Sequence, residues 1–274
     1  MILVMAVTNQ KFIQLILKIN KMKKLVFCFT LILSGMLSFA QEKPQFLEVD
    51  YQMEMKLDAD QVMAGVPAAW KAQVEETLRQ EIKNGIFIDY KLKTNGTESE
   101  YKMQEKINND QSPAGLILSQ MTAMDKEPLY KDIKAQYYLK PYNMGKSYLM
   151  KDSLQNINWK ISKEKEKIAG FDTYKATGVM NDSIPVTAWY TPKINIKDGP
   201  DRIWGLPGLI LKSEFEMNGA EIILTATNVA VKEEEIKINK PNKGQIISEK
   251  EFFEEMKALQ EKYKEMYGGG VDSE

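Results

Sequence analysis

The chain contains no histidine, and its one cysteine, Cys28, falls within the first 40 residues. Imidazole is the usual general base near neutral pH, so Ser–His–Asp and Cys–His arrangements have no base to build on. Structural and catalytic zinc sites normally draw on His or Cys, so no metal site is expected. No Gly-rich phosphate loop is present, so no cofactor is expected either. Carboxylates remain. The densest groups are Asp58-Ala59-Asp60 and Glu233-Glu234-Glu235. Each follows an expected strand and reads as a solvated loop, with weak Ca²⁺ contact as the alternative. Catalysis is not expected; a convergent acidic pair in a cleft would be needed to revive a hydrolase reading.

Methionine is the residue type with more to say. Of 16 methionines, 12 lie after residue 40. Met53, Met55, Met103, Met150, Met180 and Met217 fall on expected inward strand faces. Thioether side chains are soft and adapt to varied apolar partners, so these positions could line an apolar binding face as well as fill a core. Asp152-Ser153-Leu154 and Asp182-Ser183-Ile184 resemble the Asp-Ser/Thr-aliphatic sequon glycosylated in some envelope bacteria, which marks Ser153 and Ser183 as candidate modification sites.

The elements that must position these residues are mostly strands. From Phe46 to Leu57, Leu47, Val49, Tyr51, Met53, Met55 and Leu57 alternate with Glu48, Asp50, Gln52, Glu54 and Lys56. That is a strand with one face buried and one wet. Asn95-Gly96 suits a two-residue type I′ turn. Folding there sets Lys93 opposite Glu98, Lys91 opposite Glu100 and Asp89 opposite Lys102, with Leu92, Tyr90 and Ile88 facing Ser99, Tyr101 and Met103. Further strands are expected at 136–139, 146–150, 156–161, 164–168, 174–180, 184–191, 209–217 and 220–231, the last two joined by Asn218-Gly219. Two helices interrupt this series. One spans 67–83 with Trp70, Val74, Leu78 and Ile82 at i+4 spacing. The other starts at Ser248, with Glu251 completing a capping box and Phe252, Met256, Leu259, Tyr263 and Met266 on one face. Residues 108–134 read as a long loop with a helical turn near 116–123. Strand after strand without a βαβ rhythm implies an antiparallel sheet. The expected fold is mainly β (α+β): one domain at 41–267, built on a strongly curved antiparallel sheet or half-barrel, covered by one or two amphipathic helices. Residues 268–274 form a frayed tail.

The first 40 residues read as a leader. Lys21, Lys23 and Lys24 precede an apolar run from Leu25 to Phe39, and Ser38-Phe39-Ala40 supplies small residues for cleavage. Met22 is the expected initiator, with an upstream extension before it, and Gln41 the expected mature start. The apolar run, at about 15 residues, is shorter than the roughly 20 that span a bilayer, so no transmembrane anchor is expected after cleavage. Beyond residue 40, 32 Lys and Arg face 38 Asp and Glu, a net charge of −6. An acidic mixed surface argues against nucleic acid as a partner. Without Cys after residue 28 there is no disulfide, and about 234 residues can bury a core without one.

Residues 188–211 carry the most distinctive stretch: Ala188-Trp189-Tyr190-Thr191-Pro192, then Asp198-Gly199-Pro200, then Trp204 and Gly205-Leu206-Pro207-Gly208-Leu209-Ile210. This resembles the GLPGLI family of exported bacterial proteins, whose naming motif matches in full at 205–210. Trp159, Ile168, Gly170 and Lys175-Ala176 sit where that family carries similar residues. Thr173 and Lys193 depart from it, standing where members often carry a cysteine and an acidic residue. The resemblance implies export to a Gram-negative envelope of the Bacteroidetes type and no established activity. On physical grounds, Leu206-Pro207-Gly208-Leu209 fits a type II turn with Gly208 at positive φ, and the loop either plugs one end of the sheet or serves as a rigid docking loop.

Two functions follow as expectations. One is a non-catalytic periplasmic binding or carrier module for an apolar ligand, a lipid or a peptide, lined by Met53, Met55, Met103, Met150 and Met217. The other is a protein-interaction accessory of an outer-membrane or secretion complex, docking through residues 205–210.

Overall fold

The structure is a computed structural model, and it describes residues 46–66, 68–105, 126–143 and 145–268. The leader at 1–40 and the expected helical turn at 116–123 lie outside these residues. Among the described residues, twelve strands form one open, curved sheet in the order β12-β6-β5-β4-β3-β2-β1-β11-β10-β9-β8-β7. They are β1 (Phe46–Lys56), β2 (Ile86–Thr94), β3 (Glu98–Met103), β4 (Leu129–Asp132), β5 (Tyr137–Asn143), β6 (Ser147–Ser153), β7 (Lys160–Ile168), β8 (Phe171–Met180), β9 (Ile184–Thr191), β10 (Leu209–Met217), β11 (Ala220–Lys232) and β12 (Gln245–Ile247). Three helices accompany them among the described residues: α1 (Ala59–Gly65), α2 (Ala68–Asn84) and α3 (Glu249–Gly268). All pairings are antiparallel except β12 with β6, which is parallel. The sheet is therefore antiparallel, as the strand pattern implies, except at its β12 edge, which makes it mixed.

β1 occupies the middle of the sheet, and its alternation is the core's backbone. Leu47, Val49, Tyr51 and Met53 point inward and are buried, while Glu48, Asp50, Gln52 and Glu54 stay partly exposed. A bulge between Asp50 and Tyr51 shifts its register against β11. The inner face continues through Leu92, Leu129, Met150, Ala176, Val186, Leu211, Leu224 and Phe252 into a single apolar cluster. Each fully buried Leu or Phe contributes about 1.5–3 kcal/mol relative to exposure. The opposite face carries a smaller cluster of Tyr130, Leu139 and Leu149. The segment 233–244 straps across it: Ile238 packs there, Asn239 donates from its backbone and side chain to Glu100, and Lys240 donates to Tyr137 Oη at 2.6 Å.

Local details correct several expectations. The β2–β3 hairpin forms, but its loop is longer than the expected two residues. Asn95 Oδ1 accepts from the backbone N–H groups of Thr97 (2.9 Å) and Glu98 (2.7 Å), an Asx turn that widens the connection. The register moves by two, so Lys93 faces Glu100, Leu92 faces Tyr101 and Tyr90 faces Met103. A shift of two keeps every side chain on its expected face, but it sets Lys91 opposite Lys102. Lys91 is compensated from the other side, where Asp50 on β1 lies 2.5 Å away. Asn218-Gly219 does form the tight turn, with both residues at positive φ (54° and 76°) between Met217 and Ala220. Met217 at that turn is 39% exposed, so it does not line the interior.

Asp58-Ala59-Asp60 is not a solvated loop. Asp58 caps α1, accepting from the N–H groups of Asp60 and Gln61, and Asp60 pairs with Arg79 of α2 at 2.7 Å. Glu233, Glu234 and Glu235 are exposed. Residues 156–159 are loop rather than strand, and β4 and β12 extend the sheet beyond the expected set. Within α2, Val74 and Leu78 are buried as the i+4 spacing requires, whereas Trp70 is half exposed. α3 starts with the expected capping box: Glu251 N–H donates to Ser248 Oγ, and Ser248 N–H donates to the Glu251 carboxylate at 2.9 Å. Phe252 then stacks on Tyr142 at 4.4 Å and meets Tyr148 edge-on, fixing the helix's first turns to the sheet.

Candidate functional site

The 192–208 connection between β9 and β10 is long, yet more than half of its residues are buried. Ile194, Ile196, Asp198, Ile203, Trp204 and Leu206 are all buried, and so are Gly199 and Pro200. Of the six motif residues, Leu206, Leu209 and Ile210 are fully buried, Gly208 is buried, and Gly205 and Pro207 face solvent. Flanking Trp189 and Tyr190 are buried on β9, and Pro192 is exposed. The loop is bound to itself and to the sheet by backbone bonds: Leu209 N–H to Ile194 O (3.1 Å), Ile210 N–H to Asp198 O (2.9 Å) and Gly205 N–H to Lys197 O (3.2 Å). From the centre of the sheet, Tyr51 Oη donates to Ile210 O at 2.6 Å.

The turn within the motif differs from expectation. Gly208 N–H donates to Leu206 O at 2.8 Å, closing a three-residue turn about Pro207 rather than a four-residue type II turn. Proline's fixed φ suits the central position. Gly208 has φ of +152°, and a Cβ there would lie 2.2 Å from Thr191 O. Only glycine lets the two backbones meet at that point. Gly199 has a similar reason: a Cβ would fall 2.7 Å from Ile203 O and 2.8 Å from Ile210 Cβ.

Beneath the loop lies a pair that pattern reasoning did not single out. Lys131 of β4 and Asp198 of the loop are both fully buried, with Nζ 2.6 Å from Oδ1. Lys131 Nζ also donates to Gly199 O at 2.6 Å, and Gly199 N–H donates to Asp198 Oδ1 at 2.8 Å. Among the described residues Asp198 Oδ2 has no hydrogen-bond partner. Burial pushes the Tyr51 phenol well above its usual range, and the nearby Asp198 charge adds to the effect. The only sequence signal for this pair was a lysine on the inward parity of a short strand, with Leu129 and Ile133 as its neighbours on that face.

A second polar group fastens the loop to α3. Arg202 Nη1 donates to Glu249 Oε1 at 2.7 Å, Tyr138 Oη donates to Glu249 Oε2 at 3.1 Å, and the guanidinium lies 5.3 Å from the Tyr138 ring centre. Burial works against the Arg202 charge, but Asp201 and Glu249 outweigh it and hold its pKa above the usual range. Burial raises the Tyr138 phenol. A cavity of about 20 Å³ beside this cluster, bounded by Tyr138, Gln155, Met180 and Arg202, has room for about one water molecule. The indoles of Trp204 and Trp159 complete the fastening, donating to Gln155 O (2.8 Å) and Trp204 O (2.9 Å).

The candidate apolar lining divides. Met53, Met103 and Met150 are buried in the main core, Met55 is half buried at the end of β1, and Met217 is exposed. The Met55 end of the sheet is where the chain leaves to form α1 and α2 before returning as β2. Among the described residues, the buried side chains of this helical pair (Met63, Val66, Val74 and Leu78) form a cluster of their own, separate from the sheet core. Met55, Leu57 and Ile88 sit half buried at the edge of the sheet cluster. Ser153 and Ser183, the candidate modification sites, are both exposed, Ser153 at the end of β6 and Ser183 in the β8–β9 turn. No helix of the described residues is long and apolar enough to cross a membrane.

Residues 178–212, from the end of β8 through the whole loop into β10, match the model of a family described as a protein of unknown function (Porph_ging). The match includes all six residues at 205–210. No curated protein matches the chain. Among solved structures it is similar to PNGF-II (TM-score 0.47, 20% identity), covering 77% of this chain and 32% of that one. It is also similar to an uncharacterized conserved protein from Thermus thermophilus (TM-score 0.37, 4% identity, 75% and 91% covered). A third is a putative outer membrane lipoprotein-sorting protein domain from Vibrio parahaemolyticus (TM-score 0.24, 9% identity, 70% and 87% covered). The chain spans about a third of the PNGF-II chain it matches, and likenesses at this level assign no activity.

Proposed function

We propose that this chain is a non-catalytic binding module of the cell envelope that takes an apolar ligand, a lipid chain or an apolar peptide, at the seam between the sheet and the α1–α2 pair. The observation that carries the reading is the separation of two apolar clusters at a methionine-bearing sheet end. The helical pair is an excursion between neighbouring strands, attached at Lys56–Asp58 and at Gly85, whose φ of +86° makes the turn into β2. α1 stays beside the β10–β11 turn, where Gln61 Oε1 approaches Gly219. A helical flap on two short connections, next along the chain to Met55, Leu57 and Ile88, which pack half buried on the sheet core, can part from the sheet without unfolding it. Methionine at such a seam adapts to chains of different shape. The absence of histidine, and of cysteine beyond Cys28, supports binding over catalysis.

The loop at 205–210 supports this reading as framework. Its apolar side chains face inward, so a partner would meet little beyond Gly205 and Pro207. The test is native mass spectrometry of the protein purified from its own envelope, with organic extraction, followed by titration of the delipidated protein with a fluorescent fatty acid. Stoichiometric cargo, and probe binding lost in Met55→Lys, is the expected result. A clean apo mass together with no probe binding by the wild type would sink the proposal.

A further inference from the structure

We propose that Lys131 and Asp198 are joined by an intramolecular isopeptide bond, a covalent brace in a chain that has no cysteine after Cys28. The two side chains are fully buried, Nζ and Oδ1 are 2.6 Å apart, and the residues are 67 positions apart in sequence. Three features favour condensation over a lasting ion pair. The amine and the carboxyl are held in contact by rigid surroundings, since Gly199 O and Gly199 N–H grip Nζ and Oδ1 respectively. Such preorganisation gives effective molarities on the order of 10⁵–10⁸ M. The second carboxyl oxygen has no partner among the described residues, so the carboxylate is not fully stabilised as an anion. Finally, amides hydrolyse in water largely because the charged products are well solvated, and here neither product would reach water.

The step balances without any co-reactant. A proton passes from Lys131 Nζ to Asp198 Oδ1 along their hydrogen bond, leaving a neutral amine and a carboxylic acid. The Nζ lone pair attacks Cγ, the C–O bond to the protonated oxygen breaks, and one water leaves with the second amine proton. The remaining N–H points to Gly199 O, which already accepts from Nζ, and Oδ2 becomes the amide carbonyl.

The test is denaturing intact-mass measurement of the purified protein with its N-terminus sequenced, followed by proteolysis and tandem mass spectrometry. The expected result is a mass one water below that of the sequence, and a branched peptide joining the segments around Lys131 and Asp198. Lys131→Arg, which keeps the cation, restores the full mass. A wild-type mass equal to the sequence overturns the proposal. So does a one-water deficit that persists in Lys131→Arg, because that loss would come from cyclisation of Asp198 onto Gly199 N.

Discussion

Replacing Gly208 with alanine tests whether the motif is framework. The added Cβ would lie 2.2 Å from Thr191 O, 2.8 Å from Thr191 C and 3.0 Å from Pro192 Cα, all backbone atoms in a paired strand end. None can swing aside as a flexible side chain would, so the β9–β10 approach must open. Its φ of +152° adds backbone strain of about 1–2 kcal/mol. Opening weakens the Leu209 N–H bond to Ile194 O and the Leu209–Thr191 pairing, at about 1 kcal/mol for each hydrogen bond. The sum is about 3 kcal/mol, which for a domain of this size lowers Tm by roughly 6–12 °C. Gly205→Ala is the control. Its φ is +93° but its nearest neighbour is Trp159 Nε1 at 3.8 Å, so only the backbone strain of about 1–2 kcal/mol applies. Both variants are measured by circular dichroism during thermal and urea unfolding. Equal losses in the two, or a Gly208→Ala loss below about 1 kcal/mol, would refute the close approach, since a Gly→Ala change without strain or clash does not destabilise.

Three further outcomes are expected. Lys131→Met leaves the buried Asp198 carboxyl without its Nζ partner and lowers stability by about 3–5 kcal/mol in urea titration. Ser248→Ala removes the α3 cap and costs about 1 kcal/mol, while Phe252→Ala empties the Tyr142–Tyr148 slot and costs about 3–5 kcal/mol; equal effects would show that α3 is not held by that side chain. Burial raises the Asp50 pKa, but hydrogen bonds from Lys91 and Asn228 outweigh it and hold the group below its usual 3.8. A depressed carboxylate stabilises the fold above its unfolded pKa and loses that contribution as pH falls through its folded one. Asp50→Asn therefore flattens the stability profile below about pH 4, read as urea midpoints from pH 7 to pH 2; an unchanged acid limb would contradict this.

Much of the fold was legible because β1 obeys a strict period of two, and a half-buried central strand must. The capping box at Ser248 and the Asn218-Gly219 turn were legible for the same reason: each is decided by local chemistry. The β2–β3 register was not. It turned on whether Asn95 used its backbone for a type I′ turn or its side chain for an Asx turn, and both are compatible with Asn-Gly. α1 was hidden because Asp58 and Asp60 looked like a charge cluster, when one is a cap and the other a partner for Arg79. β12 escaped because a three-residue strand is defined by its neighbour β6 rather than by its own pattern. Among the candidate site residues, the inward direction of Met53, Met103 and Met150 was readable from parity, whereas the exposure of Met217 followed from its place at a turn. The Lys131–Asp198 pair joins two distant segments, so no local rule could bring them together.

The central place of β1 constrains how the chain can assemble. Strands β2 to β6 and β7 to β11 each form a run in which neighbours in sequence are neighbours in space. Each run can zip locally and quickly, but the seam joining them is the ladder of β1 with β11, pairing Phe46 with Lys232 and Lys56 with Glu221. That contact closes a very long loop, so it forms late. As the chain emerges amino end first, β1 finds β2 early and then waits, one edge bare, until β11 has followed. During that wait the apolar side of β1, with Leu47, Val49, Tyr51 and Met53, is the surface most in need of protection from stray strand pairing.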